Sequence, residues 1–181
     1  MSSVAIAHNS SVDKSIPQAL DLLGDCSDLF KNKHVAIKPN DTWASEGDKT
    51  ACTQPDTVRA MIRYVKRFDP NMITVTGGSG AGETDEIFRL LGIDRVIAEE
   101  NVEFFDHNRG PFTEVELDYE VQPRVMVNRR VLEYDTIVSL AQHKVHYEAT
   151  VTLSMKNIAM SFPAADYYGH PRSRKLHAHR F

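Results

Sequence analysis

Apolar residues in the first hundred positions recur at two spacings that alternate along the chain. Ile16, Ala19, Leu20 and Leu23 return at helical spacing from Ser15 onward, and Gly24 is a suitable stop. Val35 to Ile37 then forms a short buried strand, broken by Pro39. Thr53 to Phe68 is the clearest helix: Val58, Met61, Ile62, Val65 and Phe68 make one stripe, and Pro55 sits in the first turn. Ile73 to Val75 predicts the next strand. Ile87, Leu90 and Leu91 predict a short helical face stopped by Gly92. Val4 to Ala7 and the run "NVEFF" are further strand candidates.

The pattern changes after Gly110. Val115, Leu117, Val125 and Val127 alternate with polar residues, which predicts a β-hairpin or meander between Gly110 and Arg130. "TIVSL", Thr136 to Leu140, reads as another buried strand, and Ala149 to Met160 as a helix. Strands alternating with helices predict an α/β fold: a largely parallel, twisted sheet flanked by helices, with the hairpin or meander as an insertion. At 181 residues the chain suits a single α/β domain, residues 1–168, followed by a basic His/Arg-rich tail, 169–181, expected to be loosely ordered. Right-handed crossovers would bring the C-terminal ends of the strands to one edge, where ligands of such sheets bind.

Composition narrows the function classes. A hydrophobic fraction of 41% with 25% charged residues fits an ordinary soluble protein. The formal charge of −4 argues against nucleic acid or an anionic membrane as partner. No apolar run approaches the roughly 18 residues of a membrane span, and the N-terminus lacks the basic region of a secretion signal. The expected location is cytoplasmic. Cys26 and Cys52 are isolated, so they form no disulfide framework or CxxC motif, and both are expected to be small structural residues. No iron–sulfur cluster is expected from this chain alone, because two cysteines cannot supply four thiolates.

Three polar sets follow predicted strands. The first is Lys38, Pro39 and Asn40. A lysine leaving a buried strand can reach an anion, while Asn40 either contacts a ligand or makes a turn. The second is "GGSGAGE". Gly77, Gly78, Ser79 and Gly80 offer backbone donors and close approach ahead of a helix start, and their glycines also permit positive φ. The spacing resembles a phosphate loop, but Glu83 stands where its lysine belongs, and GxGxxG and GxSxG both fail. The loop therefore suits a smaller polar group better than a triphosphate; a purely structural turn is the alternative. The third set is Lys144 with His146, then Thr152 and Lys156 about one turn apart on the helix expected to follow. If Lys144 to His146 is extended, the two side chains share a side, joining a cation to a titratable imidazole. His143 with His146, or His177 with His179, have ligand-like spacing to which Asp106 and His107 could add, but His177 and His179 also fit a solvated basic tail. No HExxH or two-histidine–carboxylate pattern occurs, and no metal ligand is assigned.

"VAIKPN", "TQPDTVRAMIRYVKR", "ITVTGGSG" and "KVHYEATVTLSMKN" together resemble the bacterial and archaeal family called domain of unknown function 362, over roughly residues 33 to 160. The resemblance places its recurring elements on Lys38 to Asn40, Gly77 to Gly80, Lys144 with His146, and Lys156 with Asn157. It implies an α/β fold and leaves the reaction open. Many longer relatives carry a ferredoxin-like Cys-rich segment that this chain lacks. The outline is also similar to the nickel-pincer lactate racemases, at the level of fold.

Two functional expectations follow. One is an enzyme acting on a small anionic, carboxylate-bearing molecule, with Lys144 and His146 as catalytic groups, His146 as general acid/base, and Lys38, Asn40, Gly77 to Gly80, Lys156 and Asn157 binding substrate. The other is a non-catalytic binding or assembly subunit, either a homo-oligomer or a partner for a ferredoxin-like electron-transfer protein.

Overall fold

The computed structural model describes residues 3–146, 149–170 and 172. Four parallel strands make the central sheet: β1 (His34–Pro39), β2 (Met72–Gly77), β3 (Glu103–Asp106) and β6 (Thr136–Leu140), in the order β3-β2-β1-β6. Val35 pairs with Ile73 on one side and with Thr136 on the other. The α/β fold expected from the sequence is present, with helices on a parallel sheet and two added antiparallel hairpins. The first is β4 (Phe112–Glu116) with β5 (Arg124–Asn128), and the second β7 (Lys144–His146) with β8 (Thr150–Thr152).

Alternation along the strands divides the sheet into two unlike faces. Val35, Ile37, Ile73 and Val75 point into the main core. Over them lie α3 (Pro55–Lys66), α4 (Thr84–Leu91) and α5 (Ile93–Glu99), while α1 (Val12–Asp21) and the short α2 (Ser27–Phe30) add Ile16, Leu20 and Phe30 to the same core. The intervening residues Ala36, Lys38, Thr74 and Thr76 are equally buried, yet all but the alanine are polar. A smaller apolar cluster gathers Val125, Val127 and Phe162, with Ile158 of α6 (Ser154–Ala159) and Tyr168 of α7 (Ala165–Tyr168) packed against it.

Several expectations need correction. Val4 to Ala7 forms no strand. Pro39 ends β1 rather than interrupting it, since a strand terminus tolerates the missing N–H. Gly92 (φ 81°) closes α4 but also opens α5, which the glycine signal concealed. The helix expected from Ala149 begins only at Ser154. The β-branched Thr150, Val151 and Thr152 instead pair with Lys144 to His146, which is extended. Both cysteines are free and buried.

Candidate functional site

The sheet delivers Pro39, Gly77, Asp106 and Leu140 to one edge. Strands β2 and β3 extend the sheet on one side of β1, while β6 joins on its other side, so strand order reverses at β1. In open parallel sheets such a reversal opens a crevice beyond the strand ends. The loop leaving β1 and the segment leaving β6 meet there. Lys144 Nζ donates to the Ala51 carbonyl and lies 3.5 Å from Thr42 Oγ1.

Lys38 is fully buried. Its ammonium donates to Asp41 Oδ1 at 2.6 Å and to the Pro39 carbonyl. The other Asp41 oxygen accepts the Gly78 N–H at 2.8 Å, which ties the exit of β1 to the exit of β2. Burial pushes the Lys38 pKa down, opposed by the Asp41 carboxylate. Burial also pushes the Cys52 thiol up, and that thiol donates to the Trp43 carbonyl, which leaves it a poor nucleophile at neutral pH.

The glycine loop is packed tightly rather than twisted. None of Gly77, Gly78, Gly80 and Gly82 has a positive φ, so the conformational freedom read from the sequence is not used. Close approach is. A Cβ on Gly78 would stand 2.6 Å from the Ser161 carbonyl oxygen, and one on Gly77 2.0 Å from Thr84 Cγ2. Two loop amides have internal acceptors: Gly78 N–H in Asp41, and Ser79 N–H in Thr84 Oγ1 at 3.2 Å. Glu83 stands just ahead of α4, exposed. Gly78→Val is expected to lower stability by about 3 kcal/mol, the upper range for an overpacked interior, because its obstacle is backbone. Urea denaturation measures this; a loss below about 0.5 kcal/mol, the usual surface range, would contradict the packing.

Asn40 and Asn157 join the strand exits to α6. Asn40 N–H donates to Thr53 Oγ1 at 2.8 Å, and its Nδ2 to Asn157 Oδ1 at 3.3 Å. Asn157 Nδ2 donates to the Lys38 carbonyl and Ser139 Oγ. Asn40 Oδ1 is buried without a hydrogen-bond partner among the described residues. Lys144 and His146 are half-buried on one side of β7, with Val145 between them 90% exposed on the other. His146 Nδ1 accepts the Ala149 N–H at 3.1 Å. Lys156 is half-buried beside Asn157 on α6. Hydrogen bonds thus connect Lys38, Asn40, Gly78 and Asn157 by way of Asp41, while Ser79 bonds to Thr42 and Thr84, and Lys144 lies beside Thr42.

Five participants escaped the sequence reading as members of this site. Asp41 adjoins "KPN", and its spacing from Lys38 was the available signal. Thr84 Oγ1 donates to Asp106 Oδ1 at 3.0 Å. Asn108 Nδ2 donates to the Ser79 carbonyl at 2.8 Å. Arg172, assigned to the loosely ordered tail, is buried and donates to the carbonyls of Pro163, Gly78 and Ser161 and to Asn108 Oδ1. No local pattern marks it. Burial lowers its pKa to about 10 and raises that of Asp106. Among the described residues no three His, Cys, Asp or Glu side chains gather as metal ligands. His177 and His179 lie outside the described residues.

Together these features define an α/β protein whose parallel sheet carries a buried, charged network at its C-terminal edge. A family model, "Domain of unknown function (DUF362)", matches residues 35–180. The chain belongs to that family, in agreement with the resemblance read from its motifs. No curated protein and no solved structure matches the chain significantly. Among the described residues no helix is long and apolar enough to cross a membrane.

Proposed function

We propose that the protein acts on a small carboxylate-bearing molecule held over the C-terminal edge of the sheet. The supporting observation is Lys144: a half-buried ammonium with no ion pair among the described residues, at the strand-order reversal. Burial pushes its pKa down, opposed in part by Cys52 and the Asp41 carboxylate, while the Lys38 charge adds a smaller push in the same direction as burial. A ligand carboxylate would supply the missing counter-charge. Asn40 Oδ1 would accept a hydrogen bond from a hydroxyl or amide, and His146 would serve as acid or base. Lys38, already bound to Asp41, would hold the loop in shape behind the ligand with Asn157. The carboxylate preference fits the loop, whose Gly78 and Ser79 amides are engaged and whose Glu83 would repel a triphosphate.

Calorimetry with a panel of small monocarboxylates tests the reading. Binding is expected in the wild type, about tenfold weaker in Lys144→Gln and largely kept in Lys144→Arg, in line with the strength of a charge-assisted hydrogen bond. Magnesium ATP is expected to bind the loop more weakly. Failure of every carboxylate, or indifference to Lys144→Gln, would reject the assignment.

A second reading has its own observation. Val115, Leu117, Val125, Leu132, Ile158 and Phe162 help line an apolar groove of about 310 Å³ between the first hairpin and α6. Leu132 is 61% exposed there. Such a surface suits a binding or assembly subunit that meets a second copy or a ferredoxin-like partner. Sedimentation with and without a ferredoxin, compared with Leu132→Glu, separates this reading from the first.

A further inference from the structure

A second concavity lies away from the Lys38 network, where the start of α3 faces the junction of α4 and α5. Its volume is about 480 Å³, within the range of small-molecule sites. Its wall carries four cations, Lys49, Arg59, Arg89 and Arg95, against a single carboxylate, Asp56. For a chain of net charge −4 this is a local reversal of sign.

The cations differ in their commitments. Arg59 is held by Glu99 and Glu100, which fixes it in the wall and partly neutralises it. Asp56 accepts from the N–H and hydroxyl of Thr57, at its own helix start. Lys49, Arg89 and Arg95 have no ion pair among the described residues, and all three are exposed. Gly92, in the left-handed conformation, makes the corner that brings this pair of arginines to one cavity. Arg89 lies in the last turn of α4 and Arg95 in the first turn of α5, and both line the wall. Like charges that outnumber their counter-charges repel one another, and an anion entering among them relieves that repulsion. Guanidinium groups suit phosphate oxygens because their N–H donors match them in pairs.

We infer that this concavity is a binding site for a small molecule bearing at least two phosphate charges, separate from the carboxylate site. Neither the glycine loop nor any residue of the Lys38 network contributes to it. Such a ligand would be a diphosphate-bearing substrate portion or effector, received by helix side chains rather than by backbone amides.

Inorganic pyrophosphate is the probe, titrated calorimetrically at low ionic strength with the full chain. Wild-type protein is expected to bind it, with affinity falling as salt rises. Arg89→Gln combined with Arg95→Gln is expected to weaken binding by at least about tenfold, since two exposed charge contacts are lost. Lys49→Gln, on a loop, is expected to weaken it about threefold, and it supplies the test if the double variant fails to fold. Lys144→Gln should leave pyrophosphate binding unchanged. Absence of binding in the wild type, or binding that survives the arginine and lysine substitutions, would overturn the inference. Loss on Lys144→Gln alone would also overturn it, by assigning pyrophosphate to the other site.

Discussion

Lys38→Met is expected to destabilise the protein by about 3–5 kcal/mol, the usual penalty for removing one partner of a buried ion pair. The geometry makes this position severe. Lys38 and Asp41 are 0% and 1% exposed, so neither can turn to water when the other is lost. Methionine matches the lysine stem in length and keeps the packing, which leaves an isolated Asp41 carboxylate with the Gly78 amide as its remaining hydrogen-bond donor. Asp41→Asn should be similarly harmful, because it strands the ammonium. The double variant Lys38→Met/Asp41→Asn should be no worse than either single change, since neither member of the pair is then left as a stranded charge. Urea denaturation of all four proteins closes the cycle. Additive losses would mean that the pair is not coupled, and a single-variant loss under about 1 kcal/mol would mean that water reaches it.

Acid should weaken the fold through His107. Its side chain is fully buried, edge-on to the rings of Phe105, Tyr134 and Phe162, with Nε2 3.2 Å from the Tyr134 hydroxyl. Burial, then the Lys38 and Arg130 charges, lower its pKa to about 3. The folded-state pKa therefore lies below the unfolded value of about 6.5. Above pH 6.5 both states hold neutral imidazole and the stability is fully present. As pH falls from 6.5 towards 3, the unfolded chain takes up a proton that the folded protein refuses. The loss accumulates to roughly 4 kcal/mol across that window. Asp106, with its pKa raised by burial, opposes part of this at the acid end. His107→Gln should flatten the slope between pH 6 and 4 by close to one proton. Urea melts at pH 7, 6, 5 and 4 would show it, and parallel curves for the two proteins would refute it.

The central sheet was legible because each strand is a short apolar run between clear helical stripes. Val35 to Ile37, Ile73 to Val75 and Thr136 to Leu140 each lie within an observed strand. Where signals competed, the sequence misled. Gly92 is both a stop and a start, and Thr150 to Thr152 reads as helix only if strand pairing with Lys144 to His146 is ignored. The candidate site was legible one strand at a time. Lys38, Gly78 and Asn157 could each be picked out beside a regular element, but the bonds between them span long separations. Asn157 meets the Lys38 carbonyl across 119 residues, and Asp41 meets Gly78 across 37. Burial was also beyond reach. A lysine at a strand end reads as a group offered to a ligand, whereas in the fold its anion is Asp41.

The guanidinium of Arg172 gathers the carbonyls of Gly78, Ser161 and Pro163, and the Gly78 bond alone spans 94 residues. On a ribosome, β1, β2 and the glycine loop emerge long before this side chain does. Until residue 172 has left the exit tunnel, the Gly78 carbonyl lacks this donor, and the Asn108 amide oxygen has only the Ala165 N–H of its two donors. Early contacts can assemble the helix-covered face of the sheet, but the strand-end network closes last. Synthesis halted just short of that arginine would release a chain with a formed core and an unsealed polar edge.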